Sequence, residues 1–119
     1  LTENGYPVVY GANGKIGFYS SYTHQKPTLL IGCSGSCGSV HRTEPYSYAN
    51  GNAMALDDLN QDRADIRYLY HLFLRRGFRD VITGTSQPQI IQQHIRGVEI
   101  SLPPLEEQRR IAAILDKAI

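Results

Sequence analysis

Ile100-Ser101-Leu102-Pro103-Pro104-Leu105-Glu106-Glu107-Gln108 runs into Arg109-Arg110-Ile111-Ala112-Ala113-Ile114-Leu115-Asp116. An alternating stretch, Gly97 to Leu102, reads as a short strand. The double proline opens a helix, since Pro104 suits a first turn where a missing N–H costs nothing. Glu106 and Glu107 favour the positive end of that helix dipole. Leu105, Ile111, Ile114, Leu115 and Ala118 lie along one stripe, and three of them approximate a heptad seam. Just upstream, Gly84-Thr85-Ser86-Gln87-Pro88-Gln89-Ile90 is a polar loop with base-reading chemistry, because a glutamine amide offers a donor and an acceptor together.

Eight of the 11 glycines and six of the eight tyrosines precede position 57. Short apolar pieces at Pro7–Tyr10, Ile16–Tyr19, Thr28–Ile31 and Ala53–Leu56 are separated by Asn-Gly and Gly-Ser punctuation, the pattern of strands joined by tight turns. Asn13-Gly14 is a hairpin signal. Ile66, Leu69, Tyr70, Phe73 and Leu74 then recur at helical spacing, with Asp62 and Asp65 as caps and Gly77 as the stop. The expected fold is α+β: a small, twisted, mostly antiparallel sheet, one packed helix, and a C-terminal amphipathic helix.

A chain of 119 residues with net charge +1 fits one domain, and any nucleic-acid binding must use a local patch. No run approaches the roughly 20 apolar residues of a membrane span, and a cytoplasmic location is the default expectation. Leu1 is not an initiator methionine and the terminal apolar period is still running at Ile119, so a piece of a longer protein is expected.

No catalytic set emerges. Gly11-Ala12-Asn13-Gly14-Lys15-Ile16-Gly17 fails both nucleotide fingerprints and reads as a hairpin whose tip brings Lys15 to a phosphate. Cys33, Cys37 and His41 lack a fourth metal ligand and an orienting third group, so buried small-hydrophobe roles fit the cysteines better. No metal or cofactor is expected on this chain. Five arginines between Arg63 and Arg79 make a basic patch. Arg75 and Arg76 alone could serve the helix dipole. With Arg79, Lys15, Arg42, Ser34 and Ser36, and with Thr85, Ser86 and Gln87, they make a phosphate-plus-base-edge surface.

The order of these segments resembles the target recognition domain of Type I restriction–modification specificity subunits. Pro7 to Gly17 is similar to that family's early glycine segment, and Leu30-Ile31-Gly32 through Val40 to its central one. Gly84 to Ile90 fits its "G-T/S-x-Q-x-x-I" loop, and Leu102 to Gln108 with Ile111 its most recognisable string. Cys33 departs from the pattern, standing where the family commonly has Arg or Lys. The resemblance implies residues 1–102 as a recognition domain lacking its first elements, and 103–119 as the start of a spacer, coiled-coil helix. It implies a non-catalytic subunit that reads one half of a bipartite duplex site. Methyltransferase subunits and a restriction/translocase subunit would be its partners, and S-adenosylmethionine, ATP and Mg would belong to them. Leu105, Ile111, Ile114, Leu115 and Ala118 would face those partners. The runner-up is a protein–protein interaction module, built on the tyrosine-rich face and the terminal helix, that does not bind DNA.

Overall fold

The computed structural model describes residues 1, 3–6, 8–11, 14–33, 37–82, 90 and 92–118, with the backbone alone for Val9 and Gln92. At its centre is β3 (Leu29–Gly32), buried along its whole length. It pairs antiparallel with β4 (Val40–Arg42) on one side and β6 (Ala53–Leu56) on the other. Successive side chains point to opposite faces of a strand, and β3 uses both. Leu29 and Ile31 join the larger core with Val40, Leu69, Phe73 and Phe78. Leu30 turns the other way, onto Val8, Tyr10 and three alanines.

That second face meets a smaller sheet. In it β1 (Val9–Gly11) pairs antiparallel with β2 (Gly14–Lys15) and parallel with β5 (Tyr48–Ala49). Gly11 opposite Gly14 leaves two residues between them, as the hairpin reading requires, although the tip itself lies outside the described residues. Gly14, at φ +104, adopts a backbone that disfavours side chains. The architecture is therefore α+β in three layers: small sheet, central sheet, helices.

Three expectations are corrected. Ile16–Tyr19 forms no ladder; Tyr19 meets Tyr6 in an isolated bridge. Gly97–Leu102 is not a strand. Its alternation records burial only, with Val98, Ile100 and Leu102 half-buried and Glu99 and Ser101 exposed. The third concerns the cap of α1 (Ile66–Arg76), which is Asp65 alone, its carboxylate accepting from the Arg67 and Tyr68 amides at 2.9 and 3.3 Å. Asp62 instead turns its own N–H to Asn60 Oδ1. Gly77 stops α1 at φ 67, its N–H reaching the Phe73 carbonyl at 2.9 Å.

A 3-10 turn (Arg79–Val81) follows, then the short α2 (Gln92–Arg96) and finally α3 (Leu105–Ala118). The Pro104 carbonyl accepts from the Glu107 and Gln108 amides, so α3 starts where the double proline placed it. Among the described residues no helix is long and apolar enough to cross a membrane.

Candidate nucleic-acid interface

Two polar segments, 34–36 and 83–89, lie outside the described residues. They contain Ser34, Ser36, Thr85, Ser86 and Gln87. The residues that flank them adjoin one another. The buried Ile90 donates its N–H to the Cys33 carbonyl at 2.9 Å. Gly38 donates to the Gly32 carbonyl at 2.9 Å and stands at φ +87. A Cβ at Gly38 would come within 3.6 Å of Phe78 and 3.8 Å of Ile82. The roots of both segments thus meet at the Gly32 end of β3, against the residues that follow α1.

The arginines arrive at the same place because Phe78 is buried there, packed 5.4 Å from Phe73 between ring centroids. Arg76 makes a two-pronged ion pair with Asp80, at 2.8 and 3.2 Å, and lies 5.5 Å over the Phe78 ring. The hydrogen bonds from Arg76 hold the Asp80 carboxyl below the usual carboxylate range. Arg75 and Arg79 are exposed and make no ion pair among the described residues. Their charges are free to meet an anion, whereas Arg76 must exchange Asp80 for one. Beside Arg76 a shallow cleft of about 530 Å³ is lined by Gln93 and His94 of α2, two polar residues that no sequence motif marks.

Lys15 and Arg42 sit elsewhere. Lys15 stands 3.8 Å from Glu44, which lies beyond the Arg42 end of β4, away from Gly38. The Arg42 guanidinium is engaged internally, 3.4 Å from Asp116 and 4.9 Å over the Tyr70 ring. Of the side chains expected at DNA, Arg76 and Arg79 lie within two residues of the buried Phe78 that backs the Gly38 root, Arg75 is exposed in the last turn of α1, and Lys15 and Arg42 lie along β4.

The cysteines are free and half-buried. Burial, with Cys33 nearby, pushes the Cys37 thiol up, which favours the neutral form and opposes a nucleophilic role. Among the described residues no group of three His, Cys, Asp or Glu side chains could hold a metal ion.

The larger cleft, about 840 Å³, lies at the opposite end of the domain, around Thr28, Leu59 and Leu105. It carries a Thr23–His24–Asp57 chain at 2.7 and 2.8 Å. Thr23 Oγ1 also accepts from the Ala49 amide at 2.9 Å, so this chain ties the segment to β5. Near that end Tyr22 stacks edge-on to Tyr6 and Tyr46, at 4.8 and 5.2 Å. A duplex is read by protein elements that enter its grooves, not by a cleft that encloses it, so cleft size does not choose between the two ends.

On α3 the face turned to the domain is the buried Gln108 and Ala112 and the half-buried Asp116, spaced i, i+4, i+8. Gln108 is wholly buried: its Oε1 accepts from the Asp65 amide at 2.9 Å, and its Nε2 donates to the Arg63 and Pro103 carbonyls at 2.8 and 2.9 Å. Asp116 accepts from His71 Nε2 at 2.7 Å, which with Arg42 holds its carboxyl low. A hydrophobic pattern cannot reveal such a face; its sequence signal is two polar residues eight apart with a small one midway. Leu105 and Ile111 are half-buried, while Ile114, Leu115 and Ala118 are exposed.

A family model described as the Type I restriction modification DNA specificity domain matches residues 1–119. The chain belongs to that family. A DNA specificity domain is a recognition element, not the catalyst of its system. This one is 29% identical over 109 residues to the Type I restriction enzyme EcoprrI specificity subunit of Escherichia coli, covering 91% of the chain and 27% of that protein. It is 26% identical over 120 residues to a putative type I restriction enzyme specificity subunit, S.HindORF215P of Haemophilus influenzae, covering 98% and 31%. The S subunit of a Type-I restriction-modification system from M. genitalium shares the fold, with a TM-score of 0.82 at 21% identity, over 98% of this chain and 32% of that one. The specificity domain therefore spans under a third of the length of these proteins.

Proposed function

We propose that this specificity domain reads one half of a bipartite duplex site, using the two polar segments rooted at Cys33–Ile90 and Gly38–Ile82. The observation that carries the reading is the shared root of those segments against Phe78, which the sequence brackets with Arg75, Arg76 and Arg79. Phosphate contacts position a protein on a duplex and loop side chains read base edges. The arginines take the first role. Ser34, Ser36, Thr85, Ser86 and Gln87 take the second, with Gln87 set for adenine; their assignment rests on sequence. Lys15 is a peripheral phosphate contact that must leave Glu44, and Arg42 holds the domain together from behind.

In the proposed assembly α3 begins the spacer helix, and Leu105, Ile111, Ile114, Leu115 and Ala118 form the side covered by an opposing helix and the methyltransferase subunits. A restriction/translocase subunit joins through that complex. S-adenosylmethionine, ATP and Mg serve those partners, and the assembled complex would be the site-specific deoxyribonuclease and adenine methyltransferase. The alternative, a protein interaction module without DNA, would rest on the exposed Tyr22 and Tyr46 at the far end.

Duplex binding measured by fluorescence anisotropy across a salt series separates the two. Each phosphate contact contributes about −0.9 to the slope of log K against log salt. Three arginine contacts predict a slope of about −2.7, and Lys15 brings it to about −3.6 by that rule; a salt-independent affinity overturns the proposal.

A further inference from the structure

α3 runs parallel to α1 and meets the recognition body along one face, with a polar contact on either side of the buried Ala112. Gln108 sits against the start of α1 through Asp65, and Asp116 against its middle through His71. Eight residues separate them, about 12 Å of helix. Between them Ala112 is wholly buried, which brings the two helices close. A rod held at one point pivots, whereas a rod held at two points has a direction.

The second point is unlike an ordinary surface ion pair. The His71 side chain is only 9% exposed, and Asp116 is 27% exposed. Its donors come from two layers: His71 from α1, and Arg42 from β4 at 3.4 Å. Arg42 is in turn held over Tyr70. One carboxylate therefore references α3 to the helix layer and to the central sheet that carries the loop roots. We infer that Asp116, clasped by His71 and Arg42, is a positioning residue that fixes the direction in which α3 leaves the recognition body.

The consequence rests on the bipartite-site reading above. If the spacer helix of the proposed assembly runs for about 20 residues past Gln108, it is roughly 30 Å long. A swing of about 10° at Gln108 moves its tip by about 5 Å, or between one and two steps of roughly 3.4 Å along a DNA strand. Loosening Asp116 would blur the preferred distance between half-sites without touching a base contact.

Two measurements test this. The first needs no DNA. Spin labels are placed at Gly51, where a side chain would meet open space, and at the exposed Lys117, with Cys33 and Cys37 replaced by serine. Electron–electron distance measurements are expected to give one narrow distribution for the parent, broadened by several ångströms in D116N and in H71Q. Unchanged widths in both variants overturn the inference. The second uses the intact specificity subunit and duplexes whose half-sites are one or two base pairs closer or farther apart. The parent is expected to reject altered spacings by about tenfold or more, near 1.4 kcal/mol. D116N is expected to accept them within about threefold while keeping its affinity for a single half-site. Retained spacing discrimination in D116N overturns the inference. If the parent binds no duplex at all, the bipartite-site reading fails, and the label widths still decide the role of Asp116.

Discussion

Gln108 caps a helix that is not its own. Its Oε1 accepts the backbone N–H of Asp65 at 2.9 Å, while the Asp65 carboxylate caps α1 at the Arg67 and Tyr68 amides. The two residues form a relay from the start of α3 to the start of α1. Because the Gln108 side chain also reaches the Arg63 and Pro103 carbonyls, one amide satisfies three backbone groups.

Replacing Gln108 with Leu keeps its bulk and strands all three groups. An unsatisfied buried polar group costs about 1–3 kcal/mol, so Q108L is expected to lose about 3 kcal/mol or more in urea unfolding. A loss below about 1 kcal/mol would mean that water reaches this junction.

The junction at Asp116 responds to acid. Its folded-state pKa is lowered, chiefly by the His71 hydrogen bond. Its stabilisation is therefore complete above the ordinary carboxylate pKa of about 4. It drains away as pH falls from there through the lowered folded value. Unfolding followed from pH 7 downward should show that loss in the parent and less of it in D116N. Identical profiles would exclude a role for this carboxyl.

At the loop roots, Arg75→Ala and Arg79→Ala each remove an exposed charge with no ion-pair partner among the described residues. Each is expected to flatten the salt slope of duplex binding by about 1 and to change stability by no more than about 0.5 kcal/mol. Arg76→Ala also removes the Asp80 pair and the Phe78 contact, so it should affect both binding and folding. A flat response in all three variants would move the DNA surface elsewhere.

Gly38→Ala probes the root itself. The left-handed backbone at φ +87 penalises a side chain by about 1–2 kcal/mol, and the added methyl meets Phe78. Duplex affinity is expected to fall along with stability. Full affinity in a destabilised G38A would uncouple this root from DNA reading.

On the outer face of α3, Ile114 is 57% and Leu115 37% exposed. Changing both to Asp is expected to leave urea unfolding of the domain within about 0.5 kcal/mol and to abolish co-purification with the methyltransferase subunit. Undiminished assembly would reduce α3 to a local packing element.

The sequence determined what its local physics could encode. Asp65 and Gly77 bound α1 because a side-chain acceptor and a left-handed residue are what helix ends need. Pro104 placed the start of α3 for the same kind of reason, and β3 was legible as an apolar run. The Leu-Pro-Pro-Leu-Glu-Glu-Gln string carried the family. Other features were decided only by neighbours distant in the chain. Gly97–Leu102 has the alternation of a strand and finds no partner among the described residues to make it one. The strands at Val40–Arg42 and Tyr48–Ala49 are too short to carry a periodic signal and exist because β3 and β1 offer them edges. The sequence shows the charge of Arg42 but not its partners, Asp116 and Tyr70, which lie 74 and 28 residues away along the chain. The docked face of α3 was hidden because polar residues supply its strongest contacts, and hydrogen-bond complementarity between distant segments leaves no hydrophobic period to read.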